Sequence, residues 1–142
     1  MFEVTFWPIL AAGIANVVLG MIWYHPKVFG GVFMKYNPMT PEQAARGTKL
    51  IPVMAFIAFL AAMVVAYVMN HFGIAWNVFD WIGAIELAFW CWVGFVAPTM
   101  LGMVLWERKP FRYYAVVSGF WLVSFIMMAV ILVILAPQMT VL

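Results

Sequence analysis

Four long apolar runs, at 6–24, 50–70, 81–106 and 113–135, decide what this chain can become. A helix rises about 1.5 Å per residue, so roughly 20 residues cross the hydrocarbon of a bilayer. None of the runs alternates apolar and polar residues with the period of two that a barrel strand needs, which leaves helices. Composition agrees: 68% of the residues are hydrophobic and 8% charged. A soluble domain is about half apolar and a quarter charged, so the excess apolar surface must face lipid. The expected fold is all-α, one domain over 1–142. It is an integral membrane four-helix bundle, antiparallel and up-down.

Charge sets its orientation. Lys27, Lys35, Arg46 and Lys49 lie in the connection between the first and second runs, and Arg108, Lys109 and Arg112 in the one between the third and fourth. These are all seven of the chain's cations. The positive-inside rule puts both basic loops in the cytoplasm and both termini outside, in a bacterial cytoplasmic (inner) membrane. Glu3 stands where a signal peptide would carry positive charge, so cleavage is not expected. The net charge of +2 offers no face that could neutralise phosphates along a nucleic acid. The expected partners are the lipid bilayer and, beyond it, a second copy or another membrane protein.

Local signals mark the ends of the helices. Pro8 falls in a first turn, where its missing N–H costs little. Asp80 suits an N-cap, Gly73 a left-handed C′ position, and Pro137 the stop of the fourth span. Thr40-Pro41-Glu42-Gln43 reads as a capping box, which predicts a short helix over 41–46 stopped by Gly47. The aromatic stretch 28–35 is too short to cross. It either lies among the headgroups, with Lys27 and Lys35 reaching into water, or packs as an ordinary loop.

Small residues at helical spacing predict where the spans touch, because lipid gives helices no hydrophobic reason to associate. The faces are Ala12, Asn16 and Gly20; Ala55, Ala58, Ala62 and Ala66; Gly83, Glu86, Trp90, Gly94 and Ala97; and Ala115 with Gly119. Asn16 and Glu86 are the candidate intramembrane polar site. Asn16 either bonds to another helix as simple glue or faces Glu86. Glu86, about 7 Å into its span, either carries protons or substrate contacts or stays hydrated near the outer surface. Pro98 should kink the third span, as a fixed bend or as a hinge. Trp23, Tyr24 and Trp106 are expected to anchor at the lipid–water boundary.

The single cysteine, Cys91, excludes an internal disulfide, and His25 and His71 fall on opposite sides of the membrane. No nucleophile constellation or phosphate-binding glycine loop is present. The expectation is no catalytic residue, no metal, no cofactor and no enzyme activity. Leu19-Gly20-Met21 echoes Leu101-Gly102-Met103, which suggests a duplication of two hairpins, although such short matches arise easily by chance.

One pattern goes further. Asn16-x3-Gly20-x2-Trp23-Tyr24-x-Pro26-x2-Phe29-Gly30, then Thr40-x-Glu42, resembles a family of small bacterial membrane proteins catalogued as domain of unknown function seventeen sixty-one. Trp92-Val93-Gly94-Phe95 and Trp106-Glu107-Arg108-Lys109-Pro110 share the resemblance, which covers nearly the whole chain. It implies a four-helix integral membrane protein and transfers no catalytic or binding role. Two functional classes remain. One is a structural or interaction bundle that binds a partner protein, itself or lipid. The other is a small oligomeric transporter or channel that uses Glu86 and Asn16.

Overall fold

The computed structural model describes residues 6–136, and every regular element among them is helical. Glu3 and Pro137 lie outside the described residues. In chain order the elements are α1 (Phe6–Trp23), a π-helical turn (Pro26–Gly30), α2 (Gly31–Tyr36), α3 (Pro41–Ala75) and α4 (Trp81–Cys91). A second π turn (Trp92–Val96), α5 (Ala97–Met100), α6 (Gly102–Leu105) and α7 (Phe111–Leu135) follow. Four helical stretches are long and apolar enough to cross a membrane: α1, α3, the composite Trp81–Leu105, and α7. The protein is thus a multi-pass membrane bundle.

The capping box forms as its spacing predicts. Thr40 Oγ1 accepts from the Gln43 backbone N–H at 3.2 Å, and Gln43 Oε1 accepts from the Thr40 N–H at 3.0 Å. The short helix over 41–46 does not end there, however. Gly47 stays helical, and α3 runs on without a break for 35 residues. A glycine inside a helix costs about 1 kcal/mol relative to alanine, too little to stop a helix that is capped at one end and committed to a span at the other. At its rise α3 is about 52 Å long against roughly 30 Å of hydrocarbon, so its polar first turns stand clear of the bilayer. At the far end Gly73 is also helical. The left-handed position belongs to Asn77, at φ 53°, which asparagine tolerates better than most residues. Asp80 caps α4 as expected, its Oδ1 accepting from the Gly83 N–H at 2.9 Å.

α7 is the centre of the arrangement. It packs along α1 on one side and α4 on the other; α1 also packs along α3, while α3 and α4 meet only sparsely. Ala12, Ala66, Ala84, Ala88 and Met128 lie fully enclosed in the core between them. α1 and α3 approach closely at Gly13, where an added Cβ would lie 2.8 Å from Met63 Cγ.

The predicted faces of α1 and the outer half of α3 are the ones that pack: Ala12, Asn16, Ala62 and Ala66 are buried. The predicted face of the third span is not. Ala84, Leu87, Ala88 and Cys91 turn inward, while Glu86, Trp90 and Gly94 are exposed. Ala58 and Ala115 are exposed as well. Lipid and core are equally apolar, so small residues on two sides of one helix leave its orientation open. The halves are also built differently: one π turn follows the first span and the other interrupts the third.

Candidate functional site

Three polar groupings punctuate the bundle. The first sits near mid-span between α1 and α7. Asn16 Oδ1 accepts a hydrogen bond from Ser124 Oγ–H, with both side chains buried. Glu86 is not part of it: it lies on the exposed side of α4, and its predicted pairing with Asn16 does not form. Ser124 was not singled out from sequence. The available signal was that Ser118 and Ser124 carry the aliphatic hydroxyls of an otherwise apolar 113–135 run.

The second grouping surrounds the break in the third span. Pro98 has no N–H to donate, so carbonyls upstream of it need other partners. The chain accommodates this with the π turn Trp92–Val96 and a set of braces. Thr99 Oγ1 donates to Phe95 O at 2.6 Å and lies 3.1 Å from Val96 O, while the Tyr114 hydroxyl donates to Ala97 O at 2.6 Å. Trp92 Nε1 donates to Ser118 O at 2.7 Å, and Ser118 Oγ to Tyr114 O at 2.7 Å. One of these bonds comes from α7 and one reaches it, so the break is tied to the central helix. That geometry favours a fixed bend over a free hinge.

The third grouping is an aromatic knot at the basic end, where α1, α2 and the start of α7 meet. Trp23 and Tyr24 were expected to point to the headgroups, and they turn inward. The Trp23 indole donates to Val116 O at 3.0 Å, and its ring lies 4.5 Å from Phe29. Tyr24 contacts Phe33 and Phe120 at centroid distances of 5.2 and 5.4 Å. Phe33 stacks on Tyr113 at 5.9 Å, and Asn37 Nδ2 donates both to Phe33 O and to the Tyr113 hydroxyl. Within 28–35, Gly30 is buried and Phe33 packs against Tyr24 and Tyr113, while Val28, Met34 and Lys35 stay exposed. Trp106 is 85% exposed and takes no part in the knot.

Gly30 makes the knot possible. An added Cβ would stand 2.1 Å from Tyr24 O and 2.8 Å from the His25 carbonyl carbon, both backbone atoms that cannot swing away. The π turn folds the chain back that tightly: Gly30 N donates to His25 O at 3.0 Å, and His25 Nδ1 accepts from Lys27 N at 3.2 Å. The two basic loops join here. Lys109 Nζ donates to Tyr36 O at 2.8 Å and lies 5.4 Å from the centre of the Tyr113 ring. Lys35 Nζ lies 5.6 Å from the centre of Tyr36. Lys27, Lys35, Arg46, Lys49, Arg108 and Arg112 are exposed, and Lys109 is half-buried. Arg108 occupies the left-handed region at φ 56°, closing the turn between α6 and α7.

The family model described as "Protein of unknown function (DUF1761)" matches residues 7–133. The chain belongs to that family. The match covers all four spans, the knot and the break, so the Gly-x-x-Trp-Tyr-x-Pro stretch with its Phe-Gly now has a physical reading. Its members form the π turn and the rings packed on it. No curated protein and no solved structure matches the chain.

Proposed function

We propose that this protein is a structural or interaction bundle of the bacterial cytoplasmic membrane, holding a partner membrane protein, a second copy or lipid, and that it is not an enzyme. Its basic loops face the cytoplasm, with the ends of the chain outside, by the positive-inside rule. The observation that carries this reading is the closure of the polar groups inside the spans. Asn16 Oδ1 accepts from Ser124, the Trp92 indole donates to Ser118 O, and the Tyr114 hydroxyl donates to Ala97 O. A conduction path needs polar groups that remain available to its cargo. The groove between α1 and α3 is walled instead by Phe6, Ile9, Met63, Val64 and Tyr67.

Glu86 is the reason to keep a transport reading under test. It lies on the outer side of α4, so it could line a path only where a second subunit covers that side. Proton flux in proteoliposomes, measured for the wild type and Glu86→Gln, separates the two. The interaction reading expects no flux in either protein. Flux that the Glu86→Gln change abolishes would overturn it. Extraction into lipid nanodiscs directly from native membrane, followed by particle mass measurement, should give a mass above that of one chain.

A further inference from the structure

The basic end carries an organised patch of charge. Seven cations face two acids there, Glu42 and Glu107, leaving a net of five positive charges. Orientation alone needs no defined positions for them, yet Lys109 is held by a hydrogen bond to Tyr36 O and Lys35 lies over the Tyr36 ring. They flank the packed pair Tyr36 and Tyr113, whose ring centroids lie 6.1 Å apart. An ammonium has three N–H donors, and the Lys109 bond to Tyr36 O uses one. Arg112 is exposed one residue before Tyr113.

Depth completes the argument. Phe111, 67% exposed, and Trp106, 85% exposed, stand at the ends of the fourth and third spans, with Lys109 between them in the chain and Arg112 next to Phe111. Exposed aromatic residues at span ends suit the lipid–water boundary, so on the membrane orientation proposed above these two cations fall at the level of the lipid phosphates. We infer that Lys35, Lys109 and Arg112, set around the Tyr36–Tyr113 pair, form a binding site for the headgroup of an anionic phospholipid in the adjacent leaflet. This names a lipid for the interaction role proposed above and rests on that reading's membrane orientation. The occupant is a lipid rather than a soluble anion because, on that orientation, the site opens at the level where lipid headgroups are densest. The anionic glycerol or diglycerol headgroup meets its excess of positive charge, whereas a zwitterionic one brings its own cation.

Native mass spectrometry of the full chain in neutral detergent, titrated with dioleoylphosphatidylglycerol or dioleoylphosphatidylcholine, tests this. The wild type should retain phosphatidylglycerol in preference to phosphatidylcholine. Each cation near the surface is worth a factor of roughly five in affinity, so Lys35→Gln should weaken phosphatidylglycerol retention about fivefold and Lys35→Gln/Arg112→Gln about 25-fold. Arg46→Gln/Lys49→Gln, on the projecting start of α3, should leave it unchanged. Thermal unfolding of each variant without lipid checks that the fold is intact. Three results would overturn the site: equal retention of the two lipids, equal losses from both double variants, or displacement of the lipid by inorganic phosphate at matched concentration. Particle mass in nanodiscs is read separately, so loss of the lipid site would leave the interaction role standing or falling by its own measurement.

Discussion

α7 and α3 are similarly apolar, yet they do opposite jobs. Of the most apolar 18-residue window in each, 39% is buried inside the bundle for α7 and 11% for α3. α7 is touched on two sides, by α1 and α4, and carries Ser118 and Ser124 as bonding points. α3 buries Ala62, Ala66 and Met69, packs Met63, Val65 and Phe72 half-buried against the core, and turns Val53, Phe56, Ile57 and Leu60 outward. In water an outward row of that kind would be a liability. In a bilayer it is solvated, so apolarity does not separate core from periphery. What separates them here is punctuation: hydroxyls, close approaches and fixed turns.

Unfolding free energies in bicelles can break or sharpen that contrast. The largest effect should come from the knot at the foot of α7. Gly30→Ala forces a Cβ onto backbone atoms, and a loss of roughly 3 kcal/mol or more, or failure to fold, is expected. Stability near that of the wild type would mean that the π turn is not needed. Next comes Met128→Ala, in the fully enclosed centre of α7. Lipid is as apolar as the core, so the cost comes from the cavity and lost contacts, about 2 kcal/mol, at the low end of the range for soluble cores. A double-mutant cycle of Asn16→Val and Ser124→Ala should then return a coupling of about 0.6 kcal/mol, and less than about 1.7 kcal/mol. A coupling of zero would remove hydrogen bonding from the account of why α1 and α7 pair. Finally, Phe56→Ala on the open side of α3 should change stability by less than about 0.5 kcal/mol. A large loss there would show that a partner covers α3 in the membrane.

Much of this could be read from the residues alone. The four spans, the Thr40 box, the Asp80 cap and the inward face of α1 follow from length, spacing and cap chemistry, which act locally. The outward turn of Glu86 and the inward turn of Trp23 and Tyr24 do not. Each depends on which helix stands opposite, and residues more than 90 positions away decide that, as Val116 does for Trp23. Gly47 and Gly73 failed as stops for a related reason. A breaker is weighed against everything the helix gains on both sides of it, and α3 gains a whole span. Of the candidate polar site, Asn16 was legible as a bonding residue because a buried amide needs a partner. Its partner, Ser124, is one hydroxyl among many residues that could have faced it.

The π turn at Trp92–Val96 also has a genetic consequence. A π turn holds one residue more than an α turn in nearly the same height, so the third span contains, in effect, an insertion that the fold has absorbed. Deleting a single codon within 92–96 should restore a plain helix and leave the segment that ends at Trp106 close to its present orientation, because the wide turn already absorbs the extra residue. A single-codon deletion in the plain helix of α4 has no such slack and should swing everything beyond it by about 100° around the axis. The reading frame would be kept in both. The third span should therefore tolerate the loss of a residue at its π turn far better than one turn earlier.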